Sequence, residues 1–175
     1  MKETIPNWQI GGFIFTAVLG TFLHFLFDLT GGSMWSALFS AVNESIWEHM
    51  KLLYYPMVIV AVAEYFLWGK EQASFWCIKL IGILAGLAVI PVMYYTYTGS
   101  LGLSADWFNI TIFFIAAGLM FWLETKLFQK EFTCRFPALL SVGIMMLIAV
   151  AFTGLTFDPP HIPLFQDPIT GTYGF

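Results

Sequence analysis

Five long runs of hydrophobic residues divide the chain. They cover about residues 8–27, 52–68, 75–97, 107–128 and 136–157. Most have a length close to that of a membrane-spanning α-helix, which is about 20 residues. Because 59% of the residues are hydrophobic and 10% are charged, the chain lacks the polar side chains that would cover a soluble domain of its size. The pattern predicts an all-α integral membrane protein, a single domain over residues 1–175, with five transmembrane helices in the lipid bilayer.

Two segments depart from these runs. Residues 33–50 follow the Gly31-Gly32 break, start at Ser33, which suits a helix cap, and continue into the second run without a turn signal. We therefore expect a helix over about residues 33–50 that is either re-entrant or interfacial. The tail, residues 158–175, has four prolines, which exclude a helix, and several large apolar side chains, which argue against disorder. We expect this tail to form an extended strap over the outer face.

The seven basic residues are divided unevenly between the two sets of helix ends. Lys51 lies at one set of helix ends. The other six lie at the opposite set of helix ends: Lys2, Lys70, Lys79, Lys126, Lys130 and Arg135. Positive charge in short loops is retained in the cytoplasm. We therefore predict a multi-pass protein of the cell membrane with a cytoplasmic N-terminus and an extracytoplasmic C-terminus. This orientation places all three histidines on the outer side.

The stretch "VNESIWEHMK", residues 42–51, concentrates polar groups in a chain with few charges. On a continuous helix most of its polar side chains share one side, whereas His49 is turned about 100° away from Glu48. Such a face either lies on the membrane surface with its polar side in water or packs inward and lines a cavity. His49 can join Glu44 and Glu48 only if the helix breaks locally.

The first run carries a ladder of residues four positions apart. Gly12, Thr16 and Gly20 are small enough to let another helix approach, and His24 and Asp28 continue the same face. His24 should therefore point into the bundle. Asp28, one turn away, could accept its N–H and raise its basicity, or the two could form a purely structural pair.

These residues support two hypotheses for function. In the first, an outward-facing polar cavity binds or transports a small amphiphile or cation, and the ligand-binding residues are His24, Asp28, Asn43, Glu44, Trp47, Glu48 and Lys51. In the second, the chain is an intramembrane metal-dependent hydrolase acting on a lipid-like substrate. His24, His49 and His161, with a nearby carboxylate, would then hold Zn²⁺ and leave one position for water. We favour binding, because no metal motif has diagnostic spacing.

Other function classes are less compatible with the sequence. Seven scattered basic residues and a formal charge of −4 argue against nucleic acid as a partner. Cys77 and Cys134 match neither a CxxC motif nor a disulfide-rich scaffold, and we assign them no role. Whether the chain is an enzyme, which residues would be catalytic, and whether it forms a homo-oligomer all stay open at this point.

Three motifs carry a resemblance to known proteins. "HFLFD", "NESIWEHMKL" and "PPHIPLFQDPITGTYG" are similar to a family of small bacterial integral membrane proteins of unknown function. The similarity spans nearly the full length of the chain. It implies a membrane location and brings no activity with it.

Overall fold

The computed structural model describes residues 4–175, apart from the side chain of Asp106, and is all-helical over this range. Its six α-helices are α1 (Ile5–Leu29), α2 (Met34–Ala37), α3 (Ile46–Leu67), α4 (Phe75–Leu101), α5 (Asp106–Gln129) and α6 (Ala138–Phe157). Two 3₁₀ turns, Gly69–Glu71 and Pro163–Phe165, complete the described elements. No strand forms within residues 4–175, where the one extended pairing is an isolated bridge between Gln166 and Tyr173.

All helices except α2 are long and apolar enough to cross a membrane, which suggests a multi-pass membrane protein. These five helices coincide with the five hydrophobic runs, although α3 begins at Ile46, six residues before the predicted start. Lys2, one of the basic residues used for the predicted orientation, lies outside the described residues.

The segment at residues 33–50 is not the continuous helix that the sequence suggested. It consists of α2, a non-helical stretch and the first turn of α3. Hydrogen bonds of polar side chains explain why the helix is interrupted between α2 and α3. Asn43 Oδ1 accepts the N–H of Ser45, and Ser45 Oγ caps α3 by accepting the N–H of Glu48. Ser40 Oγ accepts the N–H of Phe27 on α1. These bonds give the backbone an alternative to helical pairing, so the helix starts only after Ser45.

The core lies along α3, which packs against α1, α4 and α6. Its side chains Leu53, Tyr54 and Met57 are almost fully buried. The predicted ladder on α1 is confirmed as a packing face: a Cβ at Gly20 would lie 2.7 Å from the carbonyl oxygen of Leu52. Because backbone atoms cannot move aside, only glycine allows α1 and α3 to approach this closely.

A disulfide between Cys77 and Cys134 connects the start of α4 to the loop between α5 and α6. This pairing was not predicted, since the two cysteines are 57 residues apart and match no known motif. The bond fixes the α5–α6 loop against the same end of the bundle that carries most of the basic residues.

The tail returns across the end of the bundle at which α3 begins. Asn43 Nδ2 donates to the carbonyl oxygen of Gly174, and the N–H of Phe175 donates to that of Thr156 on α6. Asp167 is buried within the tail. Burial by itself would raise the pKa of Asp167, but N–H groups of Ile169 and Thr170 donate to its carboxylate and lower that pKa below its usual value. The tail is therefore a folded part of the protein.

Candidate ligand-binding cavity

A cavity of about 630 Å³ lies between α1, α3, α4 and α5, near the start of α3. Its wall is mainly apolar and includes Leu52, Ile90 and Phe113, whereas His24, Glu44 and His49 form a group of polar side chains at its polar end. Pro168 and Ile169 of the tail also contact the cavity. An apolar chamber of this size with a few convergent polar groups is the usual form of a small-molecule site.

Three chain segments bring the polar end together. His24 projects from α1 on the face defined by the small-residue ladder, Glu44 belongs to the non-helical stretch, and His49 lies in the first turn of α3. On a continuous helix Glu44 would lie on the same side as Glu48. The break before α3 instead turns Glu44 towards His49.

Glu44 lies between the two histidines. Its Oε1 is 3.9 Å from His24 Nε2, and its Oε2 is 3.4 Å from His49 Nε2. The two imidazole rings have centroids 5.4 Å apart. One ligand atom from each of the three residues falls within 4.8 Å of the others, which makes this the one group of metal-ligand type found in the described residues.

The hydrogen bond of His49 shows which of its two ring nitrogens carries the proton and which has a free lone pair. His49 Nδ1 lies 2.9 Å from the carbonyl oxygen of Ser45, and a carbonyl oxygen can only accept. Nδ1 therefore carries the proton when the ring is neutral, so Nε2 presents a lone pair to the Glu44 carboxylate. Two acceptors at this separation repel each other unless a proton, an ammonium group or a metal ion lies between them.

All three side chains are accessible from outside the protein. The side chains of His24, Glu44 and His49 are 29%, 42% and 26% exposed. His24 Nδ1 itself is buried and has no hydrogen-bond partner among the described residues. Asp28 is exposed, and no hydrogen bond joins it to His24 within the part of the chain that the structure describes. A His24–Asp28 hydrogen bond, as the sequence suggested, is thus not seen among the described residues, where His24 lies near Glu44.

Glu48 and Lys51, which the helical projection placed with Glu44, are buried away from the cavity. Lys51 Nζ is 2.5 Å from Glu48 Oε2 and donates to Thr156 Oγ1, which in turn donates to Glu48 Oε1. Both side chains are at most 2% exposed. Because their charges and hydrogen bonds satisfy one another, they hold α3 against α6, and neither lines the cavity.

The remaining sequence candidates also lie outside the cavity. Asn43 binds the tail through Gly174, and the Trp47 ring packs between Phe152 and Phe165. His161 stacks on Tyr173 within the tail, with ring centroids 4.6 Å apart, and does not join the other two histidines. Thus His24 and Glu44 from the predicted ligand-binding set, and His24 and His49 from the predicted metal set, line the cavity.

Two polar residues of the cavity were missed in the sequence. Tyr94 and Asn109 were not among the predicted site residues, yet both line the chamber. Asn109 could have been found, because an amide within a hydrophobic run is costly to bury and usually has a specific partner. Here that partner is Tyr97, which donates to Asn109 Oδ1.

Comparison with known proteins yields a family and no function. The sequence profile of a family described as "Family of unknown function (DUF6512)" matches residues 1–175. No curated protein and no solved structure matches the chain. The resemblance to a family without an assigned function, inferred from the sequence motifs, is therefore confirmed over the whole chain.

Proposed function

We propose that this chain, which belongs to a family of unknown function (DUF6512), is a multi-pass membrane protein that binds a small amphiphile in its cavity. The apolar part of the ligand occupies the chamber, and its polar end lies against His24, Glu44 and His49. The observation that carries the proposal is the facing pair His49 Nε2 and Glu44 Oε2, which, when His49 is neutral, favours a positively charged or proton-donating group between them.

The rim of the cavity supports entry from a lipid leaflet. Phe25, Ile110 and Phe114 contact the cavity and are 53%, 60% and 40% exposed. Large apolar side chains exposed on a spanning helix face hydrocarbon, so a molecule dissolved in the membrane could reach the chamber sideways. In the proposed orientation, with a cytoplasmic N-terminus, the cavity opens to the outer leaflet.

The charge of the site selects the polar end of the ligand. With neutral histidines, Glu44 gives this end of the cavity one negative charge, so an alkylammonium should bind better than an alkylcarboxylate of equal length. Binding of a dansyl-labelled long-chain alkylamine to protein in lipid nanodiscs, followed by fluorescence, tests this preference. Glu44→Gln removes a charged hydrogen bond of about 1.5–3 kcal/mol and should weaken binding about 10- to 100-fold.

A matched control is available elsewhere in the chain. Asp158→Asn removes the same charge from an exposed position at the end of α6 that does not line the cavity, so its affinity for the amine should stay within about twofold of the wild type. Equal affinities for the wild type and Glu44→Gln, or equal losses in both variants, would contradict binding at Glu44.

The three-residue cluster favours a metal-dependent hydrolase as a second candidate. Two imidazoles and one carboxylate are a donor set that suits Zn²⁺ with a position left for water, and the Ser45 carbonyl orients His49 as ligand partners commonly do. A bound Zn²⁺ would supply an activated water next to a chamber that fits a lipid chain.

Metal content separates the two candidates. Protein purified without a histidine tag should contain one zinc per chain by elemental analysis if the second candidate holds, and His49→Gln should lose it. Zinc would also reverse the ligand preference, because a bound cation attracts the alkylcarboxylate. Binding of the amine with no metal present supports the first candidate alone.

A further inference from the structure

A second group of buried polar side chains lies at the opposite end of the bundle. It consists of one residue from each of four helices: Gln9 on α1, Glu64 on α3, Lys79 on α4 and Glu124 on α5. Each is at most 3% exposed. Along α3, Glu64 is 15 residues from His49, or about 22 Å at the rise of an α-helix. We call these four residues the inner cluster.

Lys79 connects the two acids of the inner cluster. Its Nζ lies 2.5 Å from Glu124 Oε2 and also contacts Glu64 Oε2 directly. Around the ammonium group are the rings of Phe75, Phe121 and Phe128, each with its centroid 5.8 Å away. The charges are therefore held in an apolar setting, where they are not screened by solvent.

The two acids differ in how well their oxygens are satisfied. Glu64 accepts two hydrogen bonds from Gln9 Nε2, at 3.1 and 3.2 Å, in addition to its contact with Lys79. Glu124 has the contact with Lys79, but its Oε1 is buried without a hydrogen-bond partner in the described residues, as is Gln9 Oε1. Gly82 leaves room for the Glu124 carboxyl, which a Cβ at this position would overlap.

The charges of the inner cluster do not cancel. Two carboxylates and one ammonium leave one negative charge, and α6 adds no charged residue within Ala138–Phe157. An uncompensated buried charge is among the most costly features a fold can contain. One proton on a carboxyl group removes this charge and gives a hydrogen-bond donor to a group that otherwise has only acceptors.

We propose that the inner cluster is a proton-binding site, in which Glu64 and Glu124 together hold one exchangeable proton and Glu124 is its main carrier. Glu124 is the carrier because its Oε1 lacks a donor, whereas both oxygens of Glu64 are satisfied. The site is independent of the ligand in the outer cavity. Helices α3, α4 and α5 contribute side chains to both sites.

Infrared spectroscopy of the full chain in nanodiscs tests the proposal. A protonated carboxyl has a carbonyl stretch distinct from that of a carboxylate, and labelling glutamate with ¹³C identifies it as a glutamate band. At neutral pH the wild type should show one buried, protonated glutamate. Glu124→Gln should lose this band and keep its melting temperature, because the amide mimics the protonated acid and leaves the Glu64–Lys79 pair neutral.

Further variants keep the test decisive if Glu124→Gln does not fold. Glu64→Gln also leaves one acid with Lys79 and should lose the band, whereas Lys79→Met should enlarge it, because both acids then need a proton. Glu71→Gln removes an exposed carboxylate at the same end and should change nothing.

Two results would overturn the proposal. The first is a wild type without a protonated glutamate at neutral pH. The second is a melting temperature of the wild type that is higher in sodium than in choline buffer, with no such difference in Glu124→Gln. This result would identify a metal cation as the ion that neutralises the inner cluster.

Discussion

Glu44 and Glu48 are four residues apart and chemically identical, yet the structure assigns them opposite roles. Glu44 faces the cavity and is 42% exposed, whereas Glu48 is buried against Lys51 and Thr156. The same substitution at the two positions should therefore separate binding from stability. Glu44→Gln should weaken binding of the alkylamine, and Glu48→Gln should lower the melting temperature.

The size of the stability effect follows from the burial of the Glu48–Lys51 pair. Removing the charge of one partner leaves the other buried and uncompensated, which costs about 3–5 kcal/mol. For a protein of this size each kcal/mol lowers the melting temperature by about 2–4 °C, so Glu48→Gln should lose on the order of 10 °C. Glu44→Gln should change stability by about 0.5 kcal/mol or less, as is typical of accessible polar sites.

Thermal unfolding followed by tryptophan fluorescence and alkylamine titration per folded molecule should be measured on the same preparations. The double variant Glu48→Gln/Lys51→Met removes both charges and should recover much of the stability lost in Glu48→Gln, since no buried charge remains unpaired. The assignment fails if Glu48→Gln binds more weakly at unchanged stability. It also fails if Glu44→Gln is the variant that unfolds early.

Three further outcomes are expected. Gly20→Ala should destabilise the protein by about 1–3 kcal/mol in thermal unfolding, because its methyl group meets the α3 backbone, while Gly11→Ala, with open space around it, should not. Asp167 has a lowered pKa in the fold, so its stabilising effect is complete above its unfolded pKa and is lost as the pH falls through the folded value. Asp167→Asn should therefore open the tail to protease at neutral pH, which the wild type resists until the medium is strongly acidic. The Cys77–Cys134 disulfide and the proposed orientation predict different outcomes, because that orientation places both cysteines in the reducing cytoplasm. Thiol trapping in growing cells that finds both cysteines reduced would support the orientation, and a disulfide there would support the reverse one.

The helices could be predicted because length and apolarity are properties of each segment alone. The five hydrophobic runs needed no knowledge of the neighbours, and the ladder on α1 correctly gave the direction of His24. The start of α3 could not be predicted in this way. It depends on hydrogen bonds made by Asn43 and Ser45, which a helical projection ignores.

The cavity was predicted only in part, because polarity does not tell where a side chain finds its partner. Glu48 and Lys51 looked available in the sequence, but Thr156, more than 100 residues later, completes their hydrogen bonding. The pairing of Glu64 and Glu124 with Lys79 inside the core could not be predicted either, because it depends on the convergence of four helices.

The capped start of α3 makes the candidate site modular. Everything after Ser45, including Glu48 and His49, moves with the helix, whereas Glu44 belongs to the short connection before the cap. Replacement of Glu44 alone would exchange the central carboxylate for another ligand and leave the stabilising Glu48–Lys51 pair in place. The rest of the connection has to be kept, because the N–H of Val42 donates to Glu48 Oε2 and Asn43 binds the tail.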